Sequence, residues 1–227
     1  MNVVVVAAHP DDEVLGCGGT MARHVANGDH VTTIIVAEGS TSRQTSRDSK
    51  SDACNLSVLK KSGLRANAKL GVDDVRFLEF PDNRLDGVHR LDLVKALEQV
   101  LPDLQPSCVY THSAADLNID HQLVHEAVLT ACRPFPGQVT HTILCFEVAS
   151  STEWRGAGSA APFVPNWFVD ISAHLEAKAS ALQEYAAEMR AWPHARSLES
   201  LEALAKWRGA SIGVGAAEAF QLARHLR

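Results

Sequence analysis

The chain reads as an α/β protein: a single Rossmann-like domain with a mostly parallel sheet flanked by helices, plus a helical C-terminal segment. Three observations carry this. Val3 to Ala8 is an unbroken apolar run, His30 to Val36 reads as a second buried strand, and strand and helix patterns alternate to about Val148. Continuous β-branched runs belong to strands buried on both faces, as in a parallel sheet. Strand, helix and strand within the first 36 or so residues make a βαβ unit, whose crossover is right-handed.

The elements follow in order. After His9-Pro10, Thr20 to Ala26 is expected as a short helix capped by Asn27-Gly28. The second strand breaks at Glu38-Gly39, and the polar stretch Ser40 to Ser51 reads as a long active-site loop running into a helix over Asp52 to Ala68. Val75 to Phe80 is the third strand, followed by the loop Pro81-Asp82-Asn83-Arg84. Leu91 to Leu101 has helical periodicity, with Leu91, Val94, Leu97 and Leu101 on one face. Ser107 to Thr111, Leu123 to Cys132 and Thr142 to Val148 then read as strand, helix and strand. Past Ser150 the texture changes: a short strand over Trp167 to Ile171, a long helix over Ala173 to Trp192 stopped by Pro193, and helices over Leu198 to Arg208 and Ala216 to His225. The expectation is one domain over residues 1–227, with a core over roughly 1–150 and a helical extension over roughly 170–227.

Composition narrows the function classes. The 227 residues include 21 Lys+Arg against 27 Asp+Glu, and a net charge of −6 argues against nucleic acid as partner. Cys17, Cys54, Cys108, Cys132 and Cys145 are scattered, with no C-x-x-C pair, which points to buried free thiols rather than disulfides or a cysteine metal site. The first residues lack a basic n-region, and no stretch approaches the roughly 20 apolar residues of a membrane span, so a soluble, cytoplasmic protein is expected. Trp192 and Trp207 lie on C-terminal helices that either cover the sheet or form a subunit contact, leaving a homo-oligomer open.

Chemistry concentrates in two segments. Ala8-His9-Pro10-Asp11-Asp12-Glu13 follows the first strand, at the carboxyl end of the sheet where open α/β folds place ligands. One imidazole and three adjacent carboxylates are costly there without a cation, and His and Asp are ligands suited to zinc. The plainer alternative is an acidic loop in which Asp12 caps the next helix. Gly16-Cys17-Gly18-Gly19 permits close backbone approach but is no dinucleotide fingerprint. The second segment, Thr111-His112-Ser113-Ala114-Ala115-Asp116-Leu117-Asn118-Ile119-Asp120-His121, follows the fourth strand on the same rim. It can deliver a third ligand, best His121, with Asp120 available in support. His125, one helical turn on, has the spacing of a further ligand, but the H-E-x-x-H glutamate is absent and a place behind the site or at the surface is expected.

Together the two segments resemble the LmbE-like/PIG-L family of zinc-dependent N-acetylglucosaminyl deacetylases, whose signature is an A-H-P-D-D-E loop after the first strand and a later H-x-x-H segment. Ala8 to Glu13 matches the first part letter for letter, and the likeness runs over about Met1 to Val148, including Phe80-Pro81-Asp82. The resemblance implies that His9, Asp12 and His121 hold zinc and that Asp11 is the general base acting on the water activated there. This chain departs at the first histidine of H-x-x-H, where it has Asn118, which donates a hydrogen bond but does not titrate. The acid role then falls to Asp11 returning its proton or to another group such as His112, and the oxyanion to the metal with Asn118 or His112.

Further groups are candidates for substrate. Asp82, Asn83 and Arg84 suit sugar hydroxyls or simply a turn; Asp116 shares the second segment; Arg43 and Arg47 suit a phosphate or carboxylate, or solvent. Phe146 to Trp154 ends a strand with polar and aromatic groups, and Pro193-His194-Ala195-Arg196 breaks a helix with His and Arg, where a structural turn is the favoured account. The expected activity is removal of an acyl group, acetyl first, from an amino sugar or sugar-like amine. Zinc is the expected metal, although iron, cobalt and manganese accept the same donors. Alternatives are a deformylase or amidase on another small N-acyl amine, or a non-catalytic sugar or nucleotide-sugar binding module. Asp11 speaks against the last, since a binding site has no need of a base.

Overall fold

A computed structural model of the chain describes residues 1–39, 41, 53–156, 158 and 161–227. The apolar runs become strands β1 (Asn2–Ala7), β2 (His30–Ala37), β3 (Asp74–Phe80), β4 (Cys108–His112) and β5 (Thr142–Phe146), paired in parallel in the order β3-β2-β1-β4-β5. Helices α1 (Asp12–Ala26), α2 (Ala53–Lys69), α3 (Arg90–Leu104) and α4 (Ile119–Ala131) make the crossovers. Chain order reverses between β1 and β4, which places a crevice at their carboxyl ends. Two apolar clusters cover the sheet. Val3, Val5, Met21, Leu59 and Tyr185 belong to one, and Val4, Val6, Leu97, Val124 and Val128 to the other, as alternate side chains of β1 point to opposite faces.

The C-terminal third departs from expectation. β6 (Trp167–Asp170) is present, but the long helix expected over Ala173 to Trp192 is only α5 (Leu175–Gln183), followed by turns to Ser197. α6 (Leu198–Ala210) agrees with expectation. Ala216 to His225, expected as a helix, is instead strand β7 (Ala217–His225), inserted antiparallel between β5 and β6 with Phe220 opposite Phe146. Its Ala, Glu, Gln and Leu favour helix locally, but pairing with two strands and burial of Ala217 to Phe220 outweigh tenths of a kilocalorie of propensity per residue. In α3 the buried face is Leu93, Val94, Leu97, Leu101 and Leu104, whereas Leu91 is exposed. Four of the cysteines are buried free thiols; Cys54 is exposed.

Helix α1 starts eight residues before the expected Thr20. It is two helical pieces joined at Cys17, whose φ of −148° is not helical. Gly16 permits the join, because a Cβ there would lie 2.3 Å from the Phe146 ring. The kink frees backbone groups that a buried ion pair satisfies. Gly19 and Thr20 N–H donate to Glu218 at 3.0 and 2.7 Å, while Lys178 Nζ donates to Leu15 O at 2.8 Å and to Glu218 at 2.6 Å. Glu218→Ala leaves a buried ammonium without its counter-charge and two amides without partners. It should lower the unfolding free energy by about 3–5 kcal/mol, read by urea titration. A loss below about 1 kcal/mol would show that the kink is held by packing alone.

Candidate metal and catalytic site

The crevice receives side chains from the ends of β1 and β3 and from the start of α4. His9 and Asp12 leave the end of β1 and the first turn of α1, Asp82 follows β3, and His121 and Asp120 sit in the first turn of α4, which Asn118 caps by accepting from Asp120 N–H at 2.8 Å. α4 therefore begins four residues before the expected Leu123. That puts His121 on rigid helix rather than loop.

His9 Nδ1, Asp12 Oδ2 and His121 Nε2 form a triangle with edges of 3.2, 3.1 and 3.3 Å. Donors about 2.0–2.1 Å from one tetrahedral ion stand about 3.3 Å apart, so the triangle has the dimensions of a zinc-type site. Asp12 Oδ1 is buried without a hydrogen-bond partner, an expensive state for a carboxylate unless a cation takes it up. Behind each imidazole stands a carboxylate. Asp120 Oδ2 and Asp82 Oδ1 lie 3.1 and 3.3 Å from His9 Nε2, and Asp116 Oδ2 lies 3.1 Å from His121 Nδ1. This arrangement fixes tautomer and ring plane with the inner nitrogens free for a metal. A second cluster, His9 with Asp82 and Asp120, shares His9 on its outer nitrogen and serves this orienting purpose.

The electrostatics are those of an anionic site. Burial lowers His9 and His121, yet hydrogen bonds and charge from Asp12, Asp120 and Asp116 reverse it: His9 ends well above its ordinary value and His121 is pushed up to about 9. Burial raises Asp12, but His121 and His9 pull it well below the usual carboxylate range. Protons on the imidazoles stand where a divalent ion would sit.

Asp11 lies beside the triangle and outside it. Its φ is +113°, rare for a residue with a side chain, and it precedes α1 without capping it. Its backbone N–H donates to Glu13 Oε2 at 3.0 Å, and Glu13 is held by Tyr185 Oη at 2.6 Å and Asn67 Nδ2 at 3.0 Å. Its carboxylate accepts from Arg196 Nη1 at 2.6 Å. Burial raises Asp11, the Arg196 charge lowers it and Asp12 raises it again, to about 8 in the metal-free protein. Gly39 lets the chain after β2 cross this loop: at φ +86° its Cβ would sit 2.5 Å from Pro10 Cδ.

Other expected site residues fall elsewhere. His112, a candidate catalytic group, is wholly buried. It stacks on His121 at 4.0 Å and accepts the Ala8 N–H on Nε2 at 2.7 Å, so it packs behind the His121 ring. Asp116 and Asp82, expected at substrate, are buried behind the imidazoles. Asp116 also accepts from Thr152 Oγ1 at 2.7 Å, Asn118 N–H at 2.8 Å and Ser151 Oγ. Asn83 and Arg84 are exposed on the rim, where Asn118 Nδ2 donates to Asn83 Oδ1 at 2.8 Å. His125 hydrogen-bonds to His112 O at 2.8 Å, behind the site. Arg43 and Arg47 lie outside the described residues. Sequence reasoning missed the contact of Arg196 with Asp11; the His-Ala-Arg break at 194–196 was its one local signal. Among the described residues, no helix is long and apolar enough to cross a membrane.

Residues 4–132 match the family model described as PIG-L: GlcNAc-PI de-N-acetylase. A 1D-myo-inositol 2-acetamido-2-deoxy-alpha-D-glucopyranoside deacetylase of Saccharopolyspora erythraea is 30% identical, with 84% of this chain and 78% of that protein covered. The N,N'-diacetylchitobiose deacetylase of Pyrococcus horikoshii superposes with a TM-score of 0.76 at 20% identity, covering 98% of this chain and 83% of that one. The 4-carboxy-2-hydroxymuconate hydratase of Pseudomonas putida gives 0.77 at 22%, covering 100% and 98%. The fold alone therefore does not choose the reaction.

Because both imidazoles carry raised values, metal binding must displace their protons, and affinity should weaken as pH falls from about 9 towards the ordinary histidine value of 6.5. Calorimetry of zinc binding at pH 7 in buffers of different ionisation enthalpy should show about one to two protons released per ion. Release of none would remove His9 and His121 from the ligand set.

Proposed function

Since the chain belongs to the PIG-L family of GlcNAc-PI de-N-acetylases, we propose that it is a zinc-dependent N-deacetylase that removes acetyl from an amino sugar or sugar-like amine. The observation that carries this reading is the placement of Asp11: a buried acidic side chain next to Asp12 in the chain and within its electrostatic reach, yet outside the His9–Asp12–His121 triangle and paired with Arg196. A pure binding site has no use for a base there. The amino-sugar substrates named for the Saccharopolyspora and Pyrococcus proteins support the substrate class.

Zinc held by His9, Asp12 and His121 would polarise the amide carbonyl and acidify the attacking water to a pKa near 7, as zinc sites commonly do. Asp11 accepts the proton of that water as oxygen adds to the acyl carbon. When the C–N bond breaks, the proton passes to the departing nitrogen, giving acetate and free amine. Asp11 is the group to return it: His112 is enclosed, and Asn118 does not titrate. Asn118, Asn83 and Arg84 stand at the rim to meet sugar hydroxyls and, through the Asn118 amide, the carbonyl oxygen.

The test is turnover of zinc-loaded protein on N-acetyl and N-formyl amino sugars, with and without attached nucleotide, followed by amine release. Metal-dependent release is expected from the acetyl compounds. Asp11→Asn should lower kcat by about 10²–10⁴-fold with zinc content unchanged. Loss of zinc from that variant would make Asp11 a ligand instead of the base, and no release from any compound would count against the deacylase reading.

A further inference from the structure

Arg196 lies 185 positions after Asp11 and outside the matched residues 4–132, yet its guanidinium makes the direct side-chain contact to the Asp11 carboxylate. The contact is built from several sides. Arg196 Nε donates to Ser150 Oγ at 2.6 Å while Nη1 donates to Asp11 Oδ2 at 2.6 Å, so two points of the planar fork are anchored on different loops. The turn that carries it is itself stitched together. Arg196 N–H donates to His194 Nδ1 at 3.0 Å, Arg190 N–H to Arg196 O at 3.3 Å, and Ser197 caps α6 by accepting from Ser200 N–H at 3.0 Å. The ion pair is largely dry, with side chains 21% and 5% exposed, and its geometry is that of a charge-assisted bond rather than a loose surface pair.

The Asp11 backbone is held separately, by Glu13 through Tyr185 and Asn67. Glu13 thus sets where the residue sits, and Arg196 sets how its carboxylate is turned. The bond from Nη1 to Oδ2 restricts rotation of the carboxylate. We propose that Arg196 is a positioning residue for the Asp11 carboxylate, which makes the turn over residues 190–197 part of the catalytic apparatus; the inference rests on the deacylase reading of the site.

The experiment compares wild type with Arg196→Ala and Arg196→Lys, each zinc-loaded and assayed on the N-acetyl substrate that wild type turns over. Misplacing a reacting group by about 1 Å costs on the order of 10²-fold, and a fall of that size in kcat is expected for Arg196→Ala, with KM within about threefold and zinc content unchanged. Added guanidinium ion, at concentrations that leave the melting curve unmoved, should restore activity at least about tenfold and saturably, since it re-supplies a planar donor in the vacated space. Lysine keeps the charge but not the two-point fork, and should remain down by about tenfold or more. A merely structural role would lower the active fraction and the melting temperature with no response to guanidinium. That pattern, or a folded Arg196→Ala with kcat within about threefold of wild type, overturns the proposal. Should Arg196→Ala not fold, the lysine variant decides by the same kcat threshold. A wild type silent on every substrate overturns the deacylase reading and this inference with it; an active wild type with an indifferent Arg196 overturns this inference alone.

Discussion

Everything near the carboxyl end of this sheet answers to one electrostatic constraint: Asp11, Asp12, Glu13, Asp82, Asp116 and Asp120 are all buried around two imidazoles. Carboxylates out of water and close to one another are stable only when each is given a cation or several donors. Each has a specific answer. Asp12 lies against His9 and His121, Asp82 and Asp120 against His9, Asp116 against His121 with two hydroxyls, Glu13 against Tyr185 and Asn67, and Asp11 against Arg196. The amino ends of α1 and α4 add their dipoles where Asp12, Glu13 and Asp120 sit. A divalent ion in the triangle would add positive charge beside Asp12, whose Oδ1 has no hydrogen-bond partner among the described residues.

The same constraint explains the unusual backbone. A residue at φ +113° persists only where its surroundings over-determine it. Asp11 has its N–H on Glu13, its carbonyl accepting from Val14 and Leu15, and its side chain on Arg196. The strained backbone goes with a carboxylate that does not cap the helix end, as an aspartate at this position ordinarily does, and is paired with Arg196 instead. Glu218 and Lys178 act similarly further along α1, where they hold a kink that would otherwise leave amides bare. Precise placement of reacting groups is thus maintained by elements far apart in the chain: β1, α2, α5, the turn before α6, and β7.

A hydratase and a chitobiose deacetylase share this fold at 22% and 20% identity. One fold thus carries different reactions, and reaction and substrate are left to the residues of the site. In this chain the surroundings include an asparagine at the amino end of α4, whose side chain is shared between the helix cap and Asn83.

By itself the sequence determined the parallel five-strand core and the end of β1 as the rim where charged groups gather, and through the family likeness it pointed to His9, Asp12 and His121 as the group that converges there. These are properties of short segments: unbroken β-branched runs, and an A-H-P-D-D-E stretch whose charge density has few uses. It also marked Asp11 as distinct from its neighbours, though only through the family likeness. What it did not determine depends on partners far along the chain. Whether Ala217 to His225 forms helix or strand is decided by β5 and β6, which local propensity cannot see. Asp82 and Asp116 look like substrate groups in isolation and become supports only once His9 and His121 are brought against them. Arg196 reads as a turn residue until folding sets it on Asp11, because an ion pair across 185 positions leaves no trace in spacing or periodicity. Local chemistry is written in the segment that carries it, and the geometry that tunes it exists only where distant segments meet.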